Sequence, residues 1–110
     1  MPSKLNLLGA MTVVVADTGD LEAVKRLKPI DCTTNPTLLL KAAETPAYAA
    51  IVDEAIGWGK KQSGTAEAVV EAVCDRLAVN FGSELTKLVP GRVSTEVDAD
   101  LTFDTPATLK

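Results

Sequence analysis

Polar side chains that could do chemistry cluster at three places in the chain, each at the end of a short apolar segment. Asp17 follows MTVVVA, Thr33 and Asn35 follow PIDC, and Ser94 and Glu96 lie within RVSTEV. Two carboxylates can transfer protons, and hydroxyl and amide groups can hold a hydroxylated substrate by hydrogen bonds. If the three clusters meet in space, they form one catalytic site.

Taken singly, each of these residues also has a purely structural explanation. Asp17 in DTGD can form an Asx-turn beside Gly19. Asn35 precedes Pro36 and can cap a helix that begins there. Glu96 can be an exposed charge at the end of a strand. Only the combination of the three clusters favours a site.

The composition excludes several classes of function. The 110 residues include no histidine, which rules out Ser-His-Asp and Cys-His catalysis, histidine metal sites and histidine pH switches. Two cysteines are too few for a disulfide framework or a zinc cluster. The formal charge of −4 and the scattered lysines and arginines argue against a nucleic-acid partner, and no apolar run is long enough to span a membrane. The length is that of one domain, so residues 1–110 are expected to form a single region.

The apolar N-terminal stretch has two interpretations. Lys4 followed by LNLLGAMTVVVA is similar to the apolar part of a short signal peptide, with Ala16 as the small residue before a cleavage point. The positive region is thin, however, and β-branched residues suit a buried strand. The favoured interpretation is therefore a strand in a cytoplasmic protein.

Strands and helices are predicted to alternate along the chain. The predicted strands are Met11–Ala16, Pro29–Thr33 and Arg92–Val97. Alternation of this kind indicates an α/β fold with parallel pairing and right-handed crossovers. The polar clusters then lie at the carboxyl ends of the strands, on one edge of the sheet, where α/β proteins place their sites.

Helix signals separate the predicted strands. Asp20 is expected to cap a helix that ends at Leu27, and Pro36 and Pro46 are each expected to open another. A longer helix follows the linker KKQSGT, and a last one begins at Thr105–Pro106. The apolar residues of the long helix recur at three- and four-residue steps and are expected to face the core: Val70, Val73, Leu77, Phe81, Leu85 and Leu88.

Three stretches together resemble the transaldolase family. They are VVVADTGD, DCTTNPTLLLKAA and KLVPGRVSTEVDADL, in the order and spacing of that family. TTNP is a highly specific signature, and VSTEVD is nearly as specific. The resemblance covers the whole chain and implies a parallel (β/α)8 TIM-type barrel, of which these residues would form the first three βα units, incomplete as given. It also implies a pentose phosphate pathway enzyme that transfers a dihydroxyacetone unit between sugar phosphates through a lysine Schiff base, without a cofactor or metal.

The resemblance also implies a role for each candidate residue. Asp17 would be the general acid and base that handles the proton of the substrate hydroxyl. Glu96 would act through a water molecule in carbinolamine and imine formation. Asn35 would hydrogen-bond the dihydroxyacetone fragment, and Thr33 and Ser94 would line the same pocket.

The catalytic lysine that this resemblance implies has no match among these residues. In the family it lies on the fourth strand, whereas the lysines of this chain are predicted on helices, at their ends or before the first strand. A Schiff-base lysine needs a buried strand end, where desolvation lowers its pKa. The isolated chain is therefore expected to be inactive.

Three strands cannot close a barrel, which takes about 250 residues. The sheet edges would need the rest of a barrel, a partner or a second copy to cover them. One alternative is thus a non-catalytic interaction or oligomerisation module. Another lysine-dependent aldolase on the same barrel is a further alternative, and TTNP argues against it.

Overall fold

The computed structural model describes residues 1–110 and contains six α-helices and three β-strands. Two short 3-10 helices, Pro46–Tyr48 and Ala99–Leu101, lie between them. The main elements in chain order are α1 (Lys4–Gly9), β1 (Val15–Asp17), α2 (Leu21–Leu27), β2 (Asp31–Thr33), α3 (Pro36–Ala43), α4 (Ala49–Gly59), α5 (Ala66–Thr86), β3 (Val93–Ser94) and α6 (Thr105–Thr108).

The three strands form one open parallel sheet in the order β1-β2-β3. Helices connect the strands, so the sheet is built from successive βα units. This confirms the predicted fold class: the chain has the first βα units of a TIM-barrel-like fold, with β1 and β3 as unpaired edges.

The two faces of the sheet differ in their environment. Cys32 of β2 is buried in a core formed with the helices, and Ala16 and Val93 pack beside that core. Because side chains alternate between faces along a strand, Val15 and Thr33 point the opposite way. Val15 is 47% exposed there. One face of the sheet is therefore covered by helices, and the other, called the open face below, is uncovered.

The core lies between β2 and the helices. Phe81 and Leu85 of α5 are fully buried, as is Val24 of α2. The ring of Tyr48 packs edge-on against Phe81, with 5.7 Å between the ring centres. The other members of the cluster are Leu21, Cys32, Leu39, Ala42 and Val89.

Side-chain caps explain where several helices begin. Asp20 accepts hydrogen bonds from the Glu22 and Ala23 amides at the start of α2. Asn35 does the same for α3, with Pro36 as the first helical residue. Thr65 caps α5. Such caps satisfy backbone donors that have no partner within the helix.

The predicted strand limits need correction: β1 begins at Val15 and extends one residue further, to Asp17, β2 begins at Asp31, and β3 covers only Val93–Ser94. The segment 11–14 does not join β1, because Met11 and Thr12 instead donate backbone hydrogen bonds to Leu8. The segment 95–97 does not extend β3. Pairing limits β3, because its register with β2 ends at Thr33 and Ser94.

The helix predictions need three corrections. A helix at Lys4–Gly9, capped by reciprocal hydrogen bonds between Ser3 and Asn6, was not predicted. The helix predicted from Pro46 begins as a 3-10 turn and becomes α4 only at Ala49. Val70 was expected to face the core but is 61% exposed.

Helices α4 and α5 pack closely at a glycine. A Cβ atom placed on Gly59 would lie 2.2 Å from Cγ2 of Val73, so only glycine allows this approach. Nearby, Arg76 of α5 makes two hydrogen bonds to the carboxylate of Glu54 of α4, at 2.7 and 3.1 Å. The hydrogen bonding by Arg76, followed by a hydrogen bond from the side-chain amide of Asn80, lowers the pKa of Glu54.

No helix of this fold is both long enough and apolar enough to span a lipid bilayer.

Candidate active site

Three of the predicted site residues lie in one row across the sheet. The strand register pairs Asp17 of β1 with Thr33 of β2, and Thr33 with Ser94 of β3. Residues paired in this way project from the same face, so all three lie on the open face. The Thr33 hydroxyl donates a hydrogen bond of 2.9 Å to Oδ1 of Asp17. Strand pairing thus brings a carboxylate and two hydroxyls together.

Backbone hydrogen bonds continue beyond this row and tie the strand ends together. The Thr18 amide donates to the Thr33 carbonyl oxygen at 3.0 Å, and the Thr34 amide donates to the Ser94 carbonyl oxygen at 3.0 Å. The loops that leave β1 and β2 therefore start from fixed positions. A substrate at this edge would meet groups that are already aligned.

Asn35 uses one half of its amide to cap α3. Its Oδ1 accepts a hydrogen bond from the Leu38 amide at 3.0 Å. Its Nδ2 makes no hydrogen bond within the chain, and the side chain is only half-buried. The amide nitrogen is therefore free to donate to a ligand while the oxygen holds the helix.

Glu96 makes no hydrogen bond to the other candidates. It lies two residues beyond Ser94, in an exposed segment without regular structure, and its carboxylate makes no hydrogen bond. The structure thus joins Asp17, Thr33 and Ser94 in one row, places Asn35 just beyond Thr33, and leaves Glu96 without a hydrogen bond to them.

A tyrosine hydroxyl supports the loop after β1, and the sequence pattern did not reveal it. Tyr48 is 7% exposed and donates a hydrogen bond of 2.9 Å to Oδ1 of Asp20. Hydrogen bonds from the Ala23 amide and then from Tyr48 lower the pKa of Asp20. Burial raises the pKa of Tyr48 itself. Tyr48 and Asp20 are 28 positions apart, so no local sequence pattern signals this contact.

A cleft of about 290 Å³ lies beside this loop but on the helix-covered side. None of the predicted site residues lines it. Its walls come from the start of α2, the end of α3 and the 3-10 turn that follows: Thr18, Gly19, Asp20, Leu38, Lys41, Ala42, Thr45 and Tyr48.

The chemistry open to this edge depends on carboxylate, hydroxyl and amide groups. No group of three or more acidic or cysteine side chains is arranged to hold a metal ion. None of the eight lysines lies in a strand. The row is thus equipped to bind hydroxyl groups and to move a proton through Asp17.

A parallel sheet with helices on one face and polar side chains at the carboxyl ends of its strands is the arrangement of βα-barrel proteins. The sequence model of the Transaldolase/Fructose-6-phosphate aldolase family matches residues 14–110. The chain belongs to this family.

Individual relatives carry the name transaldolase. The chain is 67% identical to the transaldolase of Rhizobium rhizogenes and 66% identical to that of Agrobacterium fabrum, each over 109 residues. It is 58% identical over 110 residues to the transaldolase of Aeromonas salmonicida. These matches cover 99% of this chain but only 34% of each relative. The chain therefore spans about a third of the length of the relatives that it matches.

Proposed function

We propose that this chain forms the N-terminal part of a transaldolase. The complete enzyme would transfer a dihydroxyacetone unit from a ketose phosphate to an aldose phosphate, in the pentose phosphate pathway of the cytoplasm. The observation that carries the proposal is the row of Asp17, Thr33 and Ser94 at the carboxyl ends of parallel strands in a member of this family.

The geometry supports specific roles for the row. Cleavage of an aldol bond requires removal of a proton from a substrate hydroxyl, and Asp17 is an exposed carboxylate at the open face. The hydrogen bond from Thr33 fixes the direction in which that carboxylate points. Ser94 and the free Nδ2 of Asn35 would hold the hydroxyl and carbonyl oxygens of the dihydroxyacetone unit. Glu96 would act through a water molecule.

The electron sink would come from a Schiff base on a lysine outside residues 1–110. Every lysine of this chain lies on a helix, at its end or in an irregular segment, and none projects from a strand into the open face. An imine there would need a desolvated amine beside the substrate. The isolated chain is accordingly proposed to be inactive.

A non-catalytic interaction module is the second candidate. The open face and the two unpaired edges, β1 and β3, favour it because such surfaces pair readily with other chains. Size-exclusion chromatography with light scattering distinguishes the interaction module from the enzyme fragment. A stable, stoichiometric oligomer of the isolated chain supports the module, whereas a cooperatively folding monomer argues against it.

A chimera tests the proposed enzyme. These 110 residues would replace the matching residues of the Rhizobium rhizogenes transaldolase, and transfer from fructose 6-phosphate to an aldose phosphate would be followed. We expect activity in the chimera and a loss of roughly 10²- to 10⁴-fold in kcat on Asp17→Asn, the usual contribution of a general acid or base. Asp75→Asn, an exposed aspartate on α5, is the matched control. An active Asp17→Asn chimera would refute the role proposed for Asp17.

A further inference from the structure

We propose that Asp31 is a positioning residue that fixes the register of β3 against β2. Its carboxylate would thereby hold Ser94 level with Thr33 and Asp17. The importance of that alignment for catalysis rests on the function proposed above, whereas the structural effect of Asp31 does not depend on it.

The contact that carries the inference joins residues that are 61 positions apart. Oδ1 of Asp31 accepts a hydrogen bond of 2.7 Å from the backbone amide of Arg92, directly before β3. The Gly91 amide donates to the Ile30 carbonyl oxygen at 2.9 Å. Hydrogen bonds to an ionised acceptor are among the stronger ones in proteins. Two consecutive amides at the entry to β3 are therefore held by the start of β2.

Gly91 makes this approach possible. A Cβ atom placed on Gly91 would lie 1.9 Å from Oδ1 of Asp31 and 2.6 Å from the Ile30 carbonyl oxygen. Any side chain at position 91 would thus push the loop away from Asp31. The requirement is for space and not for an unusual backbone conformation.

The short length of β3 explains why an extra contact is needed. Only two residues of β3 pair with β2, and the ladder depends on the hydrogen bonds from Cys32 to Arg92 and from Thr34 to Ser94. A slip of one residue would turn every side chain of β3 to the opposite face. Ser94 would then leave the open face and Thr95 would replace it. A side-chain bond at Arg92 resists that slip.

Asp31 would act through the backbone and not on a substrate. Its strand partner is Val15, so it lies two residues below the row of Asp17 and Thr33 on the same face. Side chains two residues apart on a strand are separated by roughly 7 Å. Asp31 therefore borders the site without being part of its row.

Amide hydrogen exchange in the chimera tests the register directly. In Asp31→Ala we expect the Thr34 and Cys32 amides to exchange at least tenfold faster, while the Leu85 amide in α5 is unchanged. Asp31→Asn keeps an oxygen acceptor, so its exchange rates at Thr34 and Cys32 are expected to stay within about threefold of those of the parent chimera. Gly91→Ala should accelerate amide exchange at Thr34 and Cys32 in the same way. It serves as the second variant if Asp31→Ala does not fold.

Kinetics link the register to the site. Asp31→Ala is expected to lose at least tenfold in kcat/KM, and Asp31→Asn to restore most of it. Unchanged exchange at Thr34 in both Asp31→Ala and Gly91→Ala would overturn the inference, as would equal acceleration at Leu85. An inactive parent chimera would refute the proposed function, while the exchange data would still decide the role of Asp31.

Discussion

At the scale of single residues, Asn35 is proposed to combine two hydrogen-bonding tasks in one side chain. Its oxygen caps α3 through the Leu38 amide, and its nitrogen is left to donate elsewhere. Serine is about as good a helix cap as asparagine but has no amide nitrogen. The two tasks can therefore be separated by substitution.

Asn35→Ser in the chimera should leave thermal stability close to that of the parent and lower the activity. The expected loss is about 10- to 100-fold in kcat/KM, which corresponds to one hydrogen bond to a substrate. Asn35→Ala, the comparison variant, should lose both activity and Tm, since the cap contributes about 1 kcal/mol. Full activity in Asn35→Ser would show that Asn35 is only a cap. Melting curves and steady-state kinetics give both readouts.

The carboxylate of Asp20 makes the stability of the fold depend on pH in acid solution, and the direction of that dependence follows from its pKa. Hydrogen bonds from the Ala23 amide and Tyr48 lower the pKa of Asp20 in the native state. Between that pKa and the ordinary aspartate pKa of about 3.9, the native state binds fewer protons than the unfolded chain. The stabilisation is thus complete above the ordinary pKa and is lost as pH falls through the native one.

The Asp20→Asn variant of the chimera checks this sign. Asparagine keeps an oxygen for the cap but does not titrate, so the Tm of the parent minus that of the variant should grow from about pH 2 to pH 5. The difference should then stay level to about pH 8, because Tyr48, whose pKa is raised by burial, begins to ionise only in more alkaline solution. A difference that shrinks between pH 2 and pH 5 contradicts the assignment.

At the scale of elements, the helix pair α4 and α5 depends on close contact at Gly59. The Cβ atom of an alanine there would overlap Val73, whereas nothing lies within 4 Å of the corresponding position on Gly57. Both glycines belong to α4. They therefore form a matched pair for testing close packing against helix propensity.

Gly59→Ala should lower the Tm of the chimera and Gly57→Ala should raise it slightly. Overpacking costs about 1–3 kcal/mol, and alanine is better than glycine in a helix by about 1 kcal/mol. Thermal unfolding followed by circular dichroism provides the comparison. Equal effects of the two substitutions would mean that α4 and α5 do not pack as closely as described.

The limits of an element could be predicted from the sequence where they depend on residues adjacent in the chain. Asp20 and Leu27 were correctly predicted as the cap and the end of α2, and Pro36 as the start of α3. The strand ends could not be predicted, because the length of β3 depends on which residues of β2 pair with it.

The same distinction applies to the site. Strand order and polar strand ends indicated that Asp17, Thr33 and Ser94 would share one edge of the sheet. The contacts of Tyr48 with Asp20 and of Asp31 with Arg92 join residues 28 and 61 positions apart. No local pattern encodes such pairs, so only the folded chain reveals them.

At the scale of the whole molecule, the chain is more extended than a compact domain of its length. Its radius of gyration is 16.1 Å, whereas a compact chain of this size has about 13 Å. Only 14 of 110 residues are buried. Both values fit an open segment of a barrel, whose inner face would be covered by further strands in the proposed enzyme.

Borohydride trapping tests most directly whether this chain supplies one side of a site whose lysine lies elsewhere. The chimera and the isolated chain would each be incubated with fructose 6-phosphate, reduced, digested and mapped by mass spectrometry. We predict a three-carbon adduct on one lysine of the chimera outside residues 1–110, and none on the isolated chain. A stable adduct on any lysine within residues 1–110 would contradict the proposed division of the site.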